Sequence, residues 1–340
     1  MPLLELDGAR YPADASETVL DALLRHAVPV PYSCRKGVCQ ACLLKSEGSA
    51  PPAQAQRGLR AGLRERGFFL ACQWVPRGDL RLARADNAQF LGNAMVVGKE
   101  LLAANVCRLT LQPSRPFDYR AGQFVNLRRA DGTVRSYSLA SVPALERRLE
   151  VHVKRYAGGA MSGWIFDSLE CGGEVELLGP LGDCVYRAGR PDQSILMIGT
   201  GTGLAPLIGI ARDALDSGHR GEIHLYHGDA ELQGLYARSQ LQALAAEHRN
   251  FHFHGCVSGD GPLGGCLRGR ASDIAFAEHP DLTDWRVFLC GSPSMVHEAK
   301  KACYLFGAAL ADIHADPFEL KDLRHAPAHG ATEARTDRRD

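Results

Sequence analysis

The sequence has no run of apolar residues approaching the roughly 20 needed to cross a bilayer, so no membrane insertion is expected. It has no charge of one sign in excess, with 39 Lys and Arg against 39 Asp and Glu, and no long block of basic residues. That excludes the electrostatic footprint of a nucleic-acid-binding protein. The opening residues Met1–Arg10 carry acids early and lack the basic-then-apolar pattern of a secretion signal. The expected compartment is therefore the cytoplasm, where thiols stay reduced. What the chain does have is cysteine. Its 11 cysteines need an explanation other than disulfides, and an odd total with a tight cluster near the front points to metal ligation.

At 340 residues the chain is long enough for two or three domains. Four zones separate by pattern: residues 1–90, 92–190, 191–320 and 321–340. The first opens with a strand-like run, Leu3–Leu6, and a turn at Asp7–Gly8. A helical repeat over Thr18–His26 follows, with Ser16 or Thr18 as its cap, then a Cys-rich loop and short strands at Phe68–Cys72 and Leu80–Leu82. The second zone has strand-like runs at Met95–Gly98, Val106–Leu111, Phe124–Leu127, Leu149–Val153 and Val175–Leu178, as expected of a small antiparallel barrel. The third alternates strand and helix, with strands at Ser194–Ile198, Ile223–Tyr226, Phe251–His254 and Val287–Leu289 and helices at Ala205–Leu215 and Leu235–His248. Such alternation implies a parallel sheet with helices on its faces. The last stretch, Lys321–Asp340, is polar and charged and is expected to be disordered.

Cys34, Cys39 and Cys42 stand in a C-x4-C-x2-C spacing with Cys72 downstream, the plant-type spacing for a [2Fe–2S] cluster. Gly37 lets backbone N–H groups turn toward the sulfurs. The bland alternatives are structural zinc, for which a second ligand knuckle is missing, and buried free thiols. The run Pro31-Tyr32-Ser33-Cys34-Arg35-Lys36-Gly37-Val38-Cys39-Gln40-Ala41-Cys42, with Leu70-Ala71-Cys72-Gln73, resembles the plant-type ferredoxin domain. Gln40 departs from that pattern, because many members have glycine after the second cysteine, and the departure bears on the local turn. This zone has a small excess of basic over acidic residues, which favours a less basic partner.

In the second zone Arg135-Ser136-Tyr137-Ser138 combines an Arg fork for a phosphate, a Tyr for a flat ring and a small hydroxyl. An exposed strand with a surface Arg is the bland alternative. Gly158-Gly159-Ala160-Met161-Ser162 opens a helix-like Gly163–Leu169, presenting N–H groups and a positive dipole end, though an ordinary capped helix would look the same. Together and in this order, these runs resemble the FAD-binding barrel of the ferredoxin–NADP reductase family. The resemblance implies that Arg135 contacts the flavin pyrophosphate, that Tyr137 packs on the ring, and that Ser138 lies near its N5. It also implies that His152 and Lys154 lie beside the flavin or adenine and that Gly159, Met161 and Ser162 hold the diphosphate. FAD is the expected flavin, with FMN used by a few relatives.

In the third zone Gly199-Thr200-Gly201-Thr202-Gly203-Leu204-Ala205-Pro206 follows a strand and opens a helix, which suits a pyrophosphate. Cys290-Gly291-Ser292-Pro293 follows Val287–Leu289 at a strand's carboxyl end, where ligands bind in open α/β sheets. By resemblance Cys290 lies beside the nicotinamide, with Gly291 and Pro293, and Met295 packs nearby. A buried Cys is otherwise often plain core. His227 and Gly228 lead into Asp229 and Glu231, and two acids there should repel a 2′-phosphate, so NADH is expected over NADPH, with Arg238 within reach. Ala311–Phe318 resembles the closing segment of oxygenase reductases, where Phe318 would shield the flavin; a core aromatic is the alternative.

The domain order resembles the reductase components of bacterial ring-hydroxylating dioxygenases and multicomponent monooxygenases. The fold so implied is multidomain, α+β and α/β: a β-grasp ferredoxin domain, an antiparallel β-barrel and a Rossmann-like parallel sheet. The implied function is an NAD(P)H-dependent iron–sulfur flavoprotein oxidoreductase, with Ser138, Cys290 and Phe318 at the hydride site and Cys34, Cys39, Cys42 and Cys72 on the cluster. The implied partner is a protein electron acceptor, an oxygenase component or a ferredoxin, and the chain is expected to be a monomer. Reductases of deoxysugar dehydratases share the arrangement. A direct reductase of quinones or flavins and a non-enzymatic redox sensor are the competing readings. The remaining cysteines, among them Cys107, Cys171, Cys184, Cys256, Cys266 and Cys303, have no second metal spacing and read mostly as structural.

Overall fold

The structure is a computed structural model that describes residues 1–85 and 91–319, for Leu91 the backbone alone. The expected tail over 321–340 lies outside the described residues. Those residues divide into two compact units, 1–85 and 91–319. Among them no helix is long and apolar enough to cross a membrane.

The first unit contains β1 (Leu3–Leu6), β2 (Ala9–Pro12), α1 (Val19–Arg25), β3 (Leu43–Glu47), α2 (Ala61–Glu65), β4 (Phe68–Leu70) and β5 (Leu80–Arg84). The sheet order is β2-β1-β5-β3-β4, with β1 and β5 parallel and the other neighbours antiparallel. Asp7 and Gly8 both take positive φ (54° and 79°), as a two-residue hairpin turn matching the strand twist requires. Thr18 is the cap of α1: the Asp21 N–H donates to its hydroxyl at 3.1 Å, and the hydroxyl donates to the Asp21 carboxylate at 2.7 Å. Such a cap contributes about 1 kcal/mol. Val19, Leu20, Ala22 and Leu23 are the buried stripe of this helix. The run Phe68–Cys72 stops being a strand at Leu70, and a tight turn over Ala71–Gln73 swings Cys72 toward the cysteine loop.

The second unit begins with an antiparallel sheet of β6 (Leu91–Ala103), β7 (Val106–Pro113), β8 (Phe124–Arg128), β9 (Val134–Ser138), β10 (Leu149–Lys154) and β11 (Glu174–Leu181), with α3 (Ala160–Asp167) between the last two. The strand order is β10-β7-β6-β11-β8-β9, and a bridge between Leu139 and Val151 joins the two ends, closing the barrel. Inward residues such as Leu109, Leu111, Val125 and Val151 fill it.

A parallel sheet follows: β12 (Ile195–Thr200), α4 (Leu204–Asp216), β13 (Ile223–Asp229), α5 (Arg238–Glu247), β14 (Phe251–Val257), β15 (Leu267–Arg268), α6 (Ala271–Glu278), β16 (Arg286–Gly291), α7 (Pro293–Leu305) and β17 (Ile313–Pro317). Its order is β15-β14-β13-β12-β16-β17, with every neighbouring pair parallel. Ile195–Ile198 is fully buried, which is why the central strand reads as a continuous apolar run instead of an alternation. The order reverses between β12 and β16, so the ligand crevice of such a sheet lies outside the carboxyl ends of those two strands. The expected helix over Leu235–His248 starts only at Arg238. Leu235 and Tyr236 are buried in a loop, and Ala237 takes a left-handed φ of 57° that no helix continues through.

Candidate redox site

All four predicted cluster ligands are buried in the first unit. Cys34, Cys39 and Cys42 come from the irregular loop between α1 and β3. Cys72 arrives from the turn after β4, held there by the Ala71 N–H donating to the Cys42 carbonyl at 3.0 Å. The sulfurs are met by donors. The N–H groups of Lys36 and Cys39 donate to Cys34 Sγ at 3.3 and 3.4 Å, the Cys34 N–H to Cys39 Sγ at 3.5 Å, and the Gln73 amide to Cys72 Sγ at 3.4 Å. The Cys39 thiol and these backbone donors hold the Cys34 thiol below its ordinary value, and the same interaction raises Cys39. Cys72 is lowered in the same way by the Cys42 thiol. A buried, donor-lined pair of thiol pairs is what a four-thiolate iron–sulfur centre requires, so the residues fit that group.

Two backbone positions make the loop possible. Gly37 has φ of 78°, and a Cβ there would stand 2.9 Å from the Gln73 side chain. Gln40, the departure from the ferredoxin pattern, takes φ of 55°, the left-handed conformation that glycine adopts freely. Its side-chain amide donates to the Gly58 carbonyl at 3.1 Å, an anchor that glycine would lack and that offsets the strain.

In the second unit, Arg135, Ser136, Tyr137 and Ser138 lie along β9. Ser136 donates to the Asn126 side chain at 2.6 Å, and Arg135 donates to the Val134 carbonyl at 2.6 Å. Tyr137 is half-buried against the barrel core, and burial pushes its phenol up, so it is a neutral ring. Gly159 caps α3, and a Cβ on it would meet Ser162 Oγ at 2.4 Å and the Tyr156 carbonyl at 3.1 Å, so a larger residue would displace the Ser162 hydroxyl. Three neighbouring side chains are used differently from expectation. Met161 points into the barrel core at 1% exposure, so only its backbone N–H, in the first turn of the helix, is left to meet an anion. Ser162 Oγ already accepts from the Tyr156 N–H at 3.2 Å. His152 is buried with its ring nitrogens 3.0 Å from the Tyr236 hydroxyl and 2.9 Å from Glu150, tying the barrel to the parallel sheet, with neither nitrogen left for a cofactor.

The Gly-rich turn closes β12 as one tight turn over Gly201–Gly203 and runs directly into α4, with Pro206 in its first turn. Gly201 has φ of 53°. Lys154, from the barrel, places its ammonium 3.5 Å from where a Cβ of Gly201 would stand and 3.7 Å from Asp229. Gly203 packs against the β16 backbone: a Cβ there would lie 2.2 Å from the Cys290 carbonyl oxygen. Gly291 is pressed on Thr200 in the same way, and the Ser292 N–H donates to Thr200 Oγ1 at 2.9 Å, ahead of Pro293 at the start of α7. Thr202 is largely buried. His227 is a prop and not a contact residue. It is fully buried under the turn, 3.0 Å from the Gly201 carbonyl, and burial holds it down to about 4, so it stays neutral. Gly228 packs on Ala271.

Ser138 and Cys290 converge on a residue that the motifs did not single out. Asp316 on β17 pairs in register with Cys290, and Ser138 Oγ donates to its carboxylate at 3.0 Å. The Phe318 N–H donates to the Gly291 carbonyl at 2.8 Å, so Phe318 too is held at this end of β16. Cys290 itself is fully buried, with its sulfur 3.9 Å from Cys184. Asp316 lies within the Ala311–Phe318 run, but its role is not legible there, because its hydroxyl partner is 178 residues away.

Loss of solvation, with the Asp183 charge adding to it, raises the Asp316 carboxyl to about 6 from its ordinary 3.8. An acid whose pKa is raised by folding favours the folded state when protonated. Its contribution is complete below pH 3.8 and is lost as pH rises through about 6. Asp316→Asn should therefore gain stability over wild type as pH climbs from 5 to 7.5. Thermal midpoints of the two proteins across that range check this, and a pH-independent difference contradicts it.

A unit with four converging thiols, a closed barrel with a glycine-capped helix, and a parallel sheet with a glycine turn at its switch point define an iron–sulfur flavoprotein reductase. Comparison with known proteins agrees, region by region. Residues 4–77 match the 2Fe-2S iron-sulfur cluster binding domain, 93–186 the oxidoreductase FAD-binding domain and 197–301 the oxidoreductase NAD-binding domain. The chain is 34% identical over 333 residues to the reductase subunit of an Amycolatopsis aromatic O-demethylase, covering 93% of this chain and 98% of that one. It is 31% identical over 313 residues to the reductase component of the naphthalene 1,2-dioxygenase/salicylate 5-hydroxylase systems of Ralstonia, covering 90% and 94%. The crystal structure of an Amycolatopsis cytochrome P450 reductase, GcoB, superposes with a TM-score of 0.66 at 33% identity, covering 94% of this chain and 99% of that one. The chain belongs to the oxygenase-reductase type of the ferredoxin–NAD(P)+ reductase family, and it is an oxidoreductase that uses a [2Fe–2S] cluster, FAD and a nicotinamide dinucleotide.

Proposed function

We propose that this protein takes electrons from NADH and delivers them to the oxygenase component of a multicomponent oxygenase. A bound flavin would supply the conversion between a two-electron hydride donor and a one-electron cluster. Cys34, Cys39, Cys42 and Cys72 hold the cluster. Arg135, Ser136, Tyr137 and the start of α3 at Gly159 hold the FAD. Gly201, Thr202, Gly203 and the first turn of α4 take the dinucleotide pyrophosphate, and Gly291 and Pro293 border the nicotinamide crevice. Ser138 and Cys290 stand at the hydride position. The Ser138 hydroxyl donates to the Asp316 carboxylate, which orients it, and Phe318 limits water. The observation that carries this reading is the convergence of Ser138 from the barrel with Cys290 and Asp316 from adjacent parallel strands, at the switch point of the sheet.

The oxygenase acceptor is supported by the relatives, among them reductase components of naphthalene dioxygenase systems. Anaerobic mixing of the NADH-reduced protein with its oxygenase component tests it. Reoxidation should saturate with the partner's concentration. Steady turnover of quinone or free flavin at the same rate, with no response to any oxygenase component, would instead favour a small-molecule reductase.

NADH preference rests on the end of β13. Asp229 stands there, and its carboxylate neutralises Lys154, while Arg238 donates to the Gly264 carbonyl at 2.6 Å and is turned away. No free cation is thus offered to a 2′-phosphate by these two residues. The expected preference in kcat/KM is about tenfold or more for NADH, equivalent to roughly 1.4 kcal/mol. Asp229→Ala, which releases Lys154, should narrow it. Initial rates with ferricyanide as acceptor measure both, and equal efficiencies in the wild type would overturn the assignment.

A further inference from the structure

The parallel sheet has a second chemically dense edge, at the amino ends of β13 and β14, opposite the nucleotide crevice. The register pairs His224 with His252 and Tyr226 with His254. His224 stacks on His252 with ring centres 4.6 Å apart and on His254 at 5.8 Å, and meets the edge of His279 at 4.4 Å. Glu222 immediately precedes β13, and its carboxylate lies 2.5 Å from His252 Nε2. One donor atom from each of Glu222, His224 and His252 falls within 4.8 Å of the other two.

Ordinary packing does not account for this group. His224 Nδ1 and His254 Nε2 are buried without a hydrogen-bond partner in the protein. Imidazole ligates metals through a ring nitrogen that carries no proton. A strand edge needing only apolar bulk would not gather four imidazoles beside a carboxylate.

We propose that Glu222, His224 and His252 form a binding site for a late first-row divalent cation, Zn2+ above all. Two imidazoles and one carboxylate suit zinc and its neighbours, whereas Mg2+ and Ca2+ demand oxygen ligands. Ligand atoms around a tetrahedral zinc stand about 3.3 Å apart. The present spacing closes by rotation of Glu222 and His252, which are 55% and 39% exposed, at the cost of the His224–His252 stacking. The ion takes the position of the proton shared between Glu222 and His252 Nε2, leaving His252 protonated on Nδ1. Water completes the shell. The site is four residues along β13 from Gly228, about 13 Å at strand rise, so the ion would pin β13 to β14 without entering the redox chemistry.

The test is calorimetric titration of the untagged holoprotein with zinc chloride, with the visible absorbance of flavin and cluster followed in parallel. One equivalent should bind with that absorbance unchanged and with a rise in thermal midpoint. Glu222→Gln should weaken binding at least tenfold, and His224→Phe should abolish it. Should His224→Phe fail to fold, the exposed Glu222→Gln decides alone. Absence of binding by the wild type, or binding unchanged in Glu222→Gln because the free thiols take the zinc, overturns the proposal.

Discussion

Cys39→Ser should abolish electron delivery to a protein acceptor while leaving ferricyanide reduction by NADH within about twofold of wild type, since transition-state stabilisation at the hydride site is untouched. Cys39 is 7% exposed and exchanges backbone contacts with Cys34. A serine there leaves three thiolates where four are needed, and the cluster has no other ligand within the C-x4-C-x2-C loop. The damage stays in the first unit because the second has its own barrel and sheet cores. Iron content, acceptor reduction and ferricyanide reduction measured on one preparation separate the two activities. A folded variant that has lost ferricyanide reduction as well would contradict the division of labour.

The second large effect belongs to Gly203→Ala. Gly203 has no unusual φ, so strain in the residue is not the issue. The added Cβ would stand 2.2 Å from the Cys290 carbonyl oxygen and 2.5 Å from its carbon. Both are backbone atoms of β16, and no flexible side chain can give way. The glycine turn must then lift from β16, carrying with it the N–H groups proposed to bind the pyrophosphate. A displacement near 1 Å at a positioned site costs about 100-fold in kcat/KM. Steady-state kinetics with NADH on the flavin-replete variant would show it. Gly62→Ala is the control: it lies in α2 with nothing within 4 Å of the new Cβ, and should be neutral or stabilising by up to about 1 kcal/mol. Wild-type kinetics in Gly203→Ala would mean that the turn does not bind the dinucleotide.

Much of this was legible in the sequence because the chemistry demands local spacing. A loop that supplies three thiolates must keep them a few residues apart, and a buried parallel strand must read as an unbroken apolar run, as Ile195–Ile198 does. Gln40 stood out as a departure, but its left-handed backbone and its amide bond to Gly58 lie beyond what spacing conveys. The motifs also named positions without saying which atoms they use. Met161 and His227 stand within cofactor-binding runs, yet the first fills the barrel and the second braces the Gly201 turn from beneath. His152 reads as a cofactor neighbour until Glu150 and Tyr236 are seen to occupy its ring. Asp316 and the Glu222–His224–His252 group were not legible, because their partners are brought together by strand register across long sequence separations.

The most direct measurement is an anaerobic titration of the purified holoprotein with NADH, following the flavin and iron–sulfur absorption bands together. Both bands should bleach at low NADH excess, and in Cys39→Ser only the flavin band should be present to respond. A fully loaded protein in which NADH bleaches neither band would contradict the assignment of this chain as an NADH-dependent reductase.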